Sequence, residues 1–206
     1  MAMPTLPNAP ENITPKKFFS EWLPQQLAPF KAAIKQFGGS LQASMSFKVE
    51  GPQGGEWTTA VQAGEVKIES GLKDNAVVTL ILAEKDFLDV VTGKRKMAFE
   101  RPGGRGGKAP KPEDIPKQLK NMIDTLSGIE GMFQFRVEDP GKDFVVSVKF
   151  KGPIKKEPDT IVAIDRADVD AMAKGELNPQ AAFMSGKIRI TGDMGLLMQM
   201  APLMMQ

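Results

Sequence analysis

A repeated string limits this chain's fold more than any other feature. Phe47-Lys48-Val49-Glu50-Gly51-Pro52 matches Phe135-Arg136-Val137-Glu138-Asp139-Pro140, a Phe-[Lys/Arg]-Val-Glu-x-Pro pattern at an offset of 88. Trp57 then falls opposite Phe144. Asp86 and Gly93 match Asp168 and Gly175 at an offset of 82. The two offsets differ by six, which a shortened second hairpin absorbs. A period of about 85 residues is too long for a solenoid unit. Within 206 residues it fits two copies of one small domain. Identity outside the string is low, so chance periodicity of an α+β pattern is the alternative.

Element order repeats as well. Thr14-Pro15 reads as an N-cap followed by Pro at the first helical position, with Phe18, Phe19, Trp22 and Leu23 on one face and Pro24 ending or bending the helix. A second helix carries Leu27, Phe30, Ile34 and Phe37 and closes at Gly38-Gly39. The period then switches to two. Met45 to Val49, Trp57 to Val61, Val66 to Ile68 and Val77 to Leu82 read as strands, and Asp86 to Val91 as a short helix. The second copy runs through a helix bearing Ile115, Leu119, Met122, Ile123 and Leu126. Strands follow at Met132 to Val137, Phe144 to Phe150 and Ile161 to Ile164, then a short helix from Asp168 to Ala173. Between the copies, residues 94–111 hold seven basic residues against one acid, Glu100, and leave the rest of the chain at −4 from a total of +2. Glycine and proline pairs there read as a linker. A phosphate cradle is the sharper alternative, but no strand enters a helix at P-loop spacing. The expected division is a loose tail at 1–12, a module at 13–100, a basic linker at 101–111 and a module at 112–206.

Composition excludes several function classes. There is no Cys, so no disulfide, thiolate nucleophile or Cys-based metal site. There is no His, so the usual general base and the commonest metal ligand are missing. Near-zero net charge argues against a nucleic-acid partner. No apolar run reaches membrane-span length, and the first residues lack the pattern of a signal peptide. A cytoplasmic protein without a cofactor is the default expectation.

The copies differ at their ends. The second continues through Gly175-Glu176-Leu177-Asn178-Pro179-Gln180-Ala181-Ala182-Phe183-Met184-Ser185-Gly186-Lys187-Ile188-Arg189-Ile190-Thr191-Gly192-Asp193-Met194-Gly195. The first offers only Lys96 to Phe99 as a closing strand. The long segment resembles the closing signature of the sterol carrier protein-2 (sterol-binding) family, Gly-Lys-Leu-Asn-Pro-Gln-x-Ala-Phe-x-x-Gly-Lys-x-x-Ile-x-Gly-x-Met. Glu176 stands where the family usually has Lys. The resemblance covers 112–206 well and 14–100 more weakly. It implies an α+β fold, a curved five-stranded sheet with helices on one face, here duplicated in tandem with the N-terminal copy incomplete. It also implies an apolar tunnel for a sterol, fatty acid, fatty acyl-CoA or phospholipid, with no covalent chemistry and no catalytic residue.

The residues expected to touch the ligand are Phe183, Met184, Ile188, Ile190, Met194, Leu197, Met198 and Met200. Six of the 13 Met fall after residue 183, and from Met194 to Met205 only Gln199 is strongly polar. A helix apolar on all sides must be buried or cover something apolar. Met adapts to variable apolar shapes, so this segment reads as a lid, with plain core filling as the alternative. At about 25 cal/mol per Å² an acyl chain supplies several kcal/mol, which ordering costs reduce to micromolar-type affinity. Phe183 reads as a core anchor, and Asn178-Pro179 as a turn with a headgroup contact as the minority reading. The Asp165, Asp168 and Asp170 cluster needs no metal, because acids suit a helix N-terminus. A lipid or acyl-chain ligand is the expected partner. Transient membrane contact and a homodimer are compatible with the pattern, and a cavity-less interaction module of the same fold is the alternative function.

Overall fold

Alternating Val, Phe and Thr positions form eight strands of one sheet. The computed structural model describes residues 7–28, 35, 42–95 and 115–204, with side chains described over 120–199 in the last stretch. The strands are β1 Ala43–Glu50, β2 Gly55–Gln62, β3 Glu65–Ser70, β4 Val78–Ala83, β5 Met132–Glu138, β6 Phe144–Lys149, β7 Thr160–Asp165 and β8 Ile188–Gly192. Their order is β3-β2-β1-β4-β6-β5-β7-β8. The helices are α1 Pro15–Lys17, a π-helical turn Phe18–Trp22, α2 Leu23–Leu27, α3 Glu84–Val91, α4 Ile115–Gly128, α5 Arg166–Ala173, α6 Pro179–Met184 and α7 Met194–Met204. Thr14 caps α1 as expected, its hydroxyl accepting from the Lys17 N–H. Pro24 does not end the helix. The Leu23 N–H reaches back to the Phe18 carbonyl in a π turn just before it, a common way to fit a residue that cannot donate.

Registers set the two copies against each other. Phe47 pairs with Trp57 and Leu80, and Phe135 pairs with Val146 and Val162. Trp57 therefore corresponds to Val146, at an offset of 89, and not to Phe144. Leu80 corresponds to Val162 at an offset of 82. Seven residues have gone between β6 and β7, where the first copy carries β3.

Five strands per copy are expected, whereas each copy supplies four among the described residues. The first copy has β3 but no counterpart of β8, and the second has β8 but no counterpart of β3. The two vacancies meet. Antiparallel pairing of Thr79 with Lys149, Leu80 with Val148, Ile81 with Ser147 and Leu82 with Val146 closes both at once. Counting the neighbour's strand, each copy has five, so neither is more incomplete than the other. The physical reason is edge satisfaction: an unpaired strand leaves a row of backbone donors and acceptors open.

One face of the sheet is apolar and carries the helices. Phe19, Val49, Trp57, Leu82, Phe87, Val146, Ile164 and Val169 belong to one buried cluster, and Val78, Ile129, Phe133, Phe150, Val162 and Leu196 to a second. The other face is polar and internally bonded: Ser46 Oγ and Thr58 Oγ1 lie 2.8 Å apart, and Thr58 Oγ1 donates to the Gly71 carbonyl. The expected loose tail holds a contact from Pro7 onward. The Ala9 N–H donates to the Val91 carbonyl at 2.8 Å, and Ala9 and Ile13 are buried. Asn8 lies so close to Gly93, where φ is +76°, that a Cβ there would meet its Nδ2 at 2.2 Å. The helix through Phe30, Ile34 and Phe37, the Lys96–Phe99 strand and the 101–111 linker lie outside the described residues.

Candidate functional site

The signature segment builds α6, β8 and α7 in turn. Asn178 Oδ1 accepts from the Ala181 N–H at 2.9 Å and caps α6, with Pro179 following at the first helical position. Asn178 therefore has a structural role here. The residue that anchors α6 is Ala182, fully buried, and not Phe183, which is 48% exposed. The Lys187 N–H donates to the Ala182 carbonyl and closes the C-terminal turn of α6 over Gly186, where φ is +73°.

β8 puts two of the expected residues on the helix face. Ile188 pairs with Ile164 and Ile190 with Val162, both half-buried. On α7 the buried residue is Leu196, at 1% exposure, which the sequence pattern does not single out among its apolar neighbours. Its Cδ2 lies 3.4 Å from where a Cβ at Gly131 would stand, an ordinary contact, and the φ of +121° is what calls for glycine there. Leu197 is half-buried beside it, and Met194 and Met198 are 47% and 68% exposed. The side chain of Met200 lies outside the described residues. The structure thus brings Ile188, Ile190 and Leu197 together against the second cluster and leaves Phe183, Met184, Met194 and Met198 at the surface.

Charged groups tie this region down. Lys187 pairs with Asp168 of α5. Arg189 bridges Asp165 at 2.9 Å and Glu138 at 2.6 Å. That hydrogen bond holds the Asp165 carboxyl below its ordinary pKa and raises Arg189. Asp170 faces Arg166 at 4.0 Å. Each acid of the cluster has a cation, and no group of metal-ligating residues occurs among the described residues. Lys155 pairs with Asp159 at 2.6 Å, and Lys156 is exposed.

The two copies differ in how their helix side is filled. In the first, Phe19 stacks on Trp57 with centroids 4.7 Å apart and lies 5.0 Å from Phe47 and 5.6 Å from Phe87. Phe19 is fully buried. The corresponding wall positions in the second copy are Phe135, Val146 and Val169, two of them much smaller. Phe135 and Val148 are half-buried there, and the sequence reading missed both. Their alternation in β5 and β6 was the available signal.

Two clefts stand out, and neither is an apolar tunnel. One, of about 540 Å³, is lined by Glu138, Asp139, Pro140, Asp143, Asp165 and Arg166 among others. The other, of about 530 Å³, is lined by Glu50, Pro52, Glu84, Lys85, Leu88 and Lys142 among others. They occupy matching places in the two copies, where a β-hairpin meets a helix N-terminus. Both are lined mainly by charged residues.

A family model described as the SCP-2 sterol transfer family matches residues 23–101 and 113–205. Curated relatives include "Sterol carrier protein 2" of Oryctolagus cuniculus, 33% identical over 151 residues, covering 66% of this chain and 27% of that protein. "Hydroxysteroid dehydrogenase-like protein 2" of Xenopus laevis is 29% identical over 166 residues, covering 69% and 40%. The chain thus spans well under half the length of either relative. A solution structure of the sterol carrier protein domain 2 of Helicoverpa armigera is 30% identical, covers 47% of this chain and 91% of its own, and aligns with a TM-score of 0.30.

Proposed function

We infer the function from kinship, for the chain belongs to the SCP-2 sterol transfer family, and we propose that it is a non-catalytic carrier that binds and transfers a lipid by its apolar chain. Sterols, fatty acids, fatty acyl-CoA and phospholipids share that chemistry. The second copy, residues 112–206, is the main holder. The observation that carries this is a contrast in side-chain size. Trp57 and Phe87, which wall the helix side of the first copy around Phe19, have the smaller Val146 and Val169 as their counterparts in the second, where Phe135, Val148, Ile188, Ile190 and Leu197 are half-buried. Half-buried apolar groups gain free energy by leaving water, at roughly 25 cal/mol per Å². Phe183, Met184, Met194 and Met198 then form an adaptable rim through which the chain enters, Met200 joins them in this reading, and the exposure of the first four suits brief contact with a membrane surface. No helix among the described residues is long and apolar enough to cross a membrane. In this reading the basic 101–111 stretch is a linker, no cofactor takes part, and the protein works in the cytoplasm.

Native mass spectrometry of the purified protein should find a co-purifying lipid, and a fluorescent acyl probe should bind and be displaced by oleate. Deleting residues 194–206 should weaken the probe. Binding unchanged by that deletion would remove the lid assignment, and absence of any acyl or sterol binding would remove the carrier reading. A cavity-less interaction module is the second reading, favoured by the polar character of both clefts. It expects a stable homodimer by light scattering with no probe binding.

A further inference from the structure

The two buried clusters meet at four side chains. Leu80, Val148, Phe135 and Ile188 each pack against both clusters, yet each is only half-buried. Protein interiors pack to crystal-like density. On the same face of the same strands, Val78 and Leu82 flank Leu80, Val146 stands beside Val148, and Phe133 and Val137 flank Phe135, all of them under 9% exposed.

Leu80 comes from the first copy and Val148 from the second, and they face each other across the β4–β6 seam. Residues paired in register project from the same face. All four therefore share the helix face with their registered partners Phe47, Phe133, Val146, Val162 and Ile164, every one apolar. From β4 to β8 the path crosses four inter-strand steps of about 4.8 Å and shifts along the strands from the level of Gly192 to Ile188, roughly 23 Å in all. That matches the reach of a long acyl chain laid across the strands. With no charge in the row, the occupant contributes a hydrocarbon chain there and keeps its headgroup elsewhere.

The geometry points to a single acyl-chain site that straddles the seam, floored by Leu80 of the first copy and by Val148, Phe135 and Ile188 of the second. This rests on the lipid-carrier reading and narrows it. The protein holds one chain per molecule, and the first copy is part of the wall and not a second, separate site.

The absence of cysteine permits a direct test. Single-cysteine variants Leu80→Cys, Val148→Cys and Ile190→Cys are labelled with a maleimide, with and without oleate, beside Lys67→Cys on exposed β3 as a control. Oleate at about ten times its Kd should slow labelling at the first three by about tenfold and leave the control unchanged. Val148→Cys repeats the seam test from the other copy should Leu80→Cys fold poorly. Protection of Ile190→Cys alone would overturn the seam site while leaving the carrier reading intact. Two oleates per chain in native mass spectrometry would overturn it as well. No oleate binding by any variant or by the unmodified protein would overturn both.

Discussion

Replacing Leu196 by Ala should destabilise the whole sheet, including the copy that does not contain it. Leu196 is 1% exposed and packs in the cluster with Ile129, Phe133, Phe150 and Val162. Truncating a leucine so enclosed costs about 2–5 kcal/mol, the transfer loss plus the cavity. With a urea m-value near 3 kcal/mol/M, the upper end for small proteins, the midpoint should fall by about 0.7–1.7 M. Met198, 68% exposed on the same helix, is the comparison: Met198→Ala should stay within about 0.5 kcal/mol. The probes are well placed, because both tryptophans, Trp22 and Trp57, lie in the first copy. Unfolding followed by tryptophan fluorescence and by far-ultraviolet circular dichroism should shift together, since four residue pairs join β4 to β6. A shift in dichroism with fluorescence unmoved would mean that the copies unfold independently and the seam does not couple them. No shift in either would mean that Leu196 does not anchor α7.

Three further perturbations test the electrostatics. Arg95 reaches Asp139 at 3.3 Å and lies 4.7 Å over the Phe144 ring, joining the end of the first copy to the hairpin of the second. Arg95→Lys keeps the charge but loses the planar fork and the stacking, so denaturant titration should show a loss of about 1 kcal/mol. Asp86 is buried on α3, and desolvation raises its pKa, against the opposing pull of Lys142, Arg95 and Lys85. The folded state then binds that proton more tightly than the unfolded one, so this group favours folding less as pH rises from the ordinary aspartate value through the folded one. Asp86→Asn should therefore raise the Tm at pH 7 relative to its effect at pH 3; a larger gain at pH 3 would contradict the assignment. Asp159 has the opposite sign. Its hydrogen bond with Lys155, and the Met132 N–H it accepts, lower its pKa. Its contribution is present above the ordinary aspartate value near 3.9 and is lost as pH falls through the folded value. Asp159→Asn should flatten the acid limb of a Tm-against-pH curve, and an unchanged limb would refute the role.

The elements were legible because their signals are local. Thr14-Pro15 is a cap whose hydrogen bond the structure contains, whereas Asn178-Pro179, read as a turn, caps a short helix instead. The alternation in Phe144 to Lys149 places Val146 and Val148 on one face from sequence alone. The buried member of a uniformly apolar helix was not legible. Nothing in Met194 to Met204 separates Leu196 from Leu197 or Met198, and the choice depends on packing against Ile129, Phe133, Phe150 and Val162, all distant in sequence. Phe183 was misread for a similar reason. Aromatic size suggests a core anchor, but α6 turns Ala182 inward, fully buried, and leaves Phe183 48% exposed.

The seam shows why a repeat can be read correctly and its architecture still be missed. The string at Phe47 and Phe135 marks the paired centre of each copy, where both copies need the same residues. Copies diverge at their edges, and edges are where register across the molecule is decided. Losing a strand next to β6 would leave its backbone unpaired in a lone domain, a cost that normally selects against the loss. In this chain β4 stands there instead and bonds to it over Thr79 to Leu82. The same pairing removes the need for a closing strand beside β4. Each vacancy makes the other tolerable, so the two losses are coupled although they lie in different copies. Pairing also places Leu80 beside Val148 and Leu82 beside Val146 on the helix face, where apolar side chains of both copies face the same space. Two closed domains on a tether would each have kept a separate interior; joined through this seam, they have one continuous apolar face that neither copy could form alone.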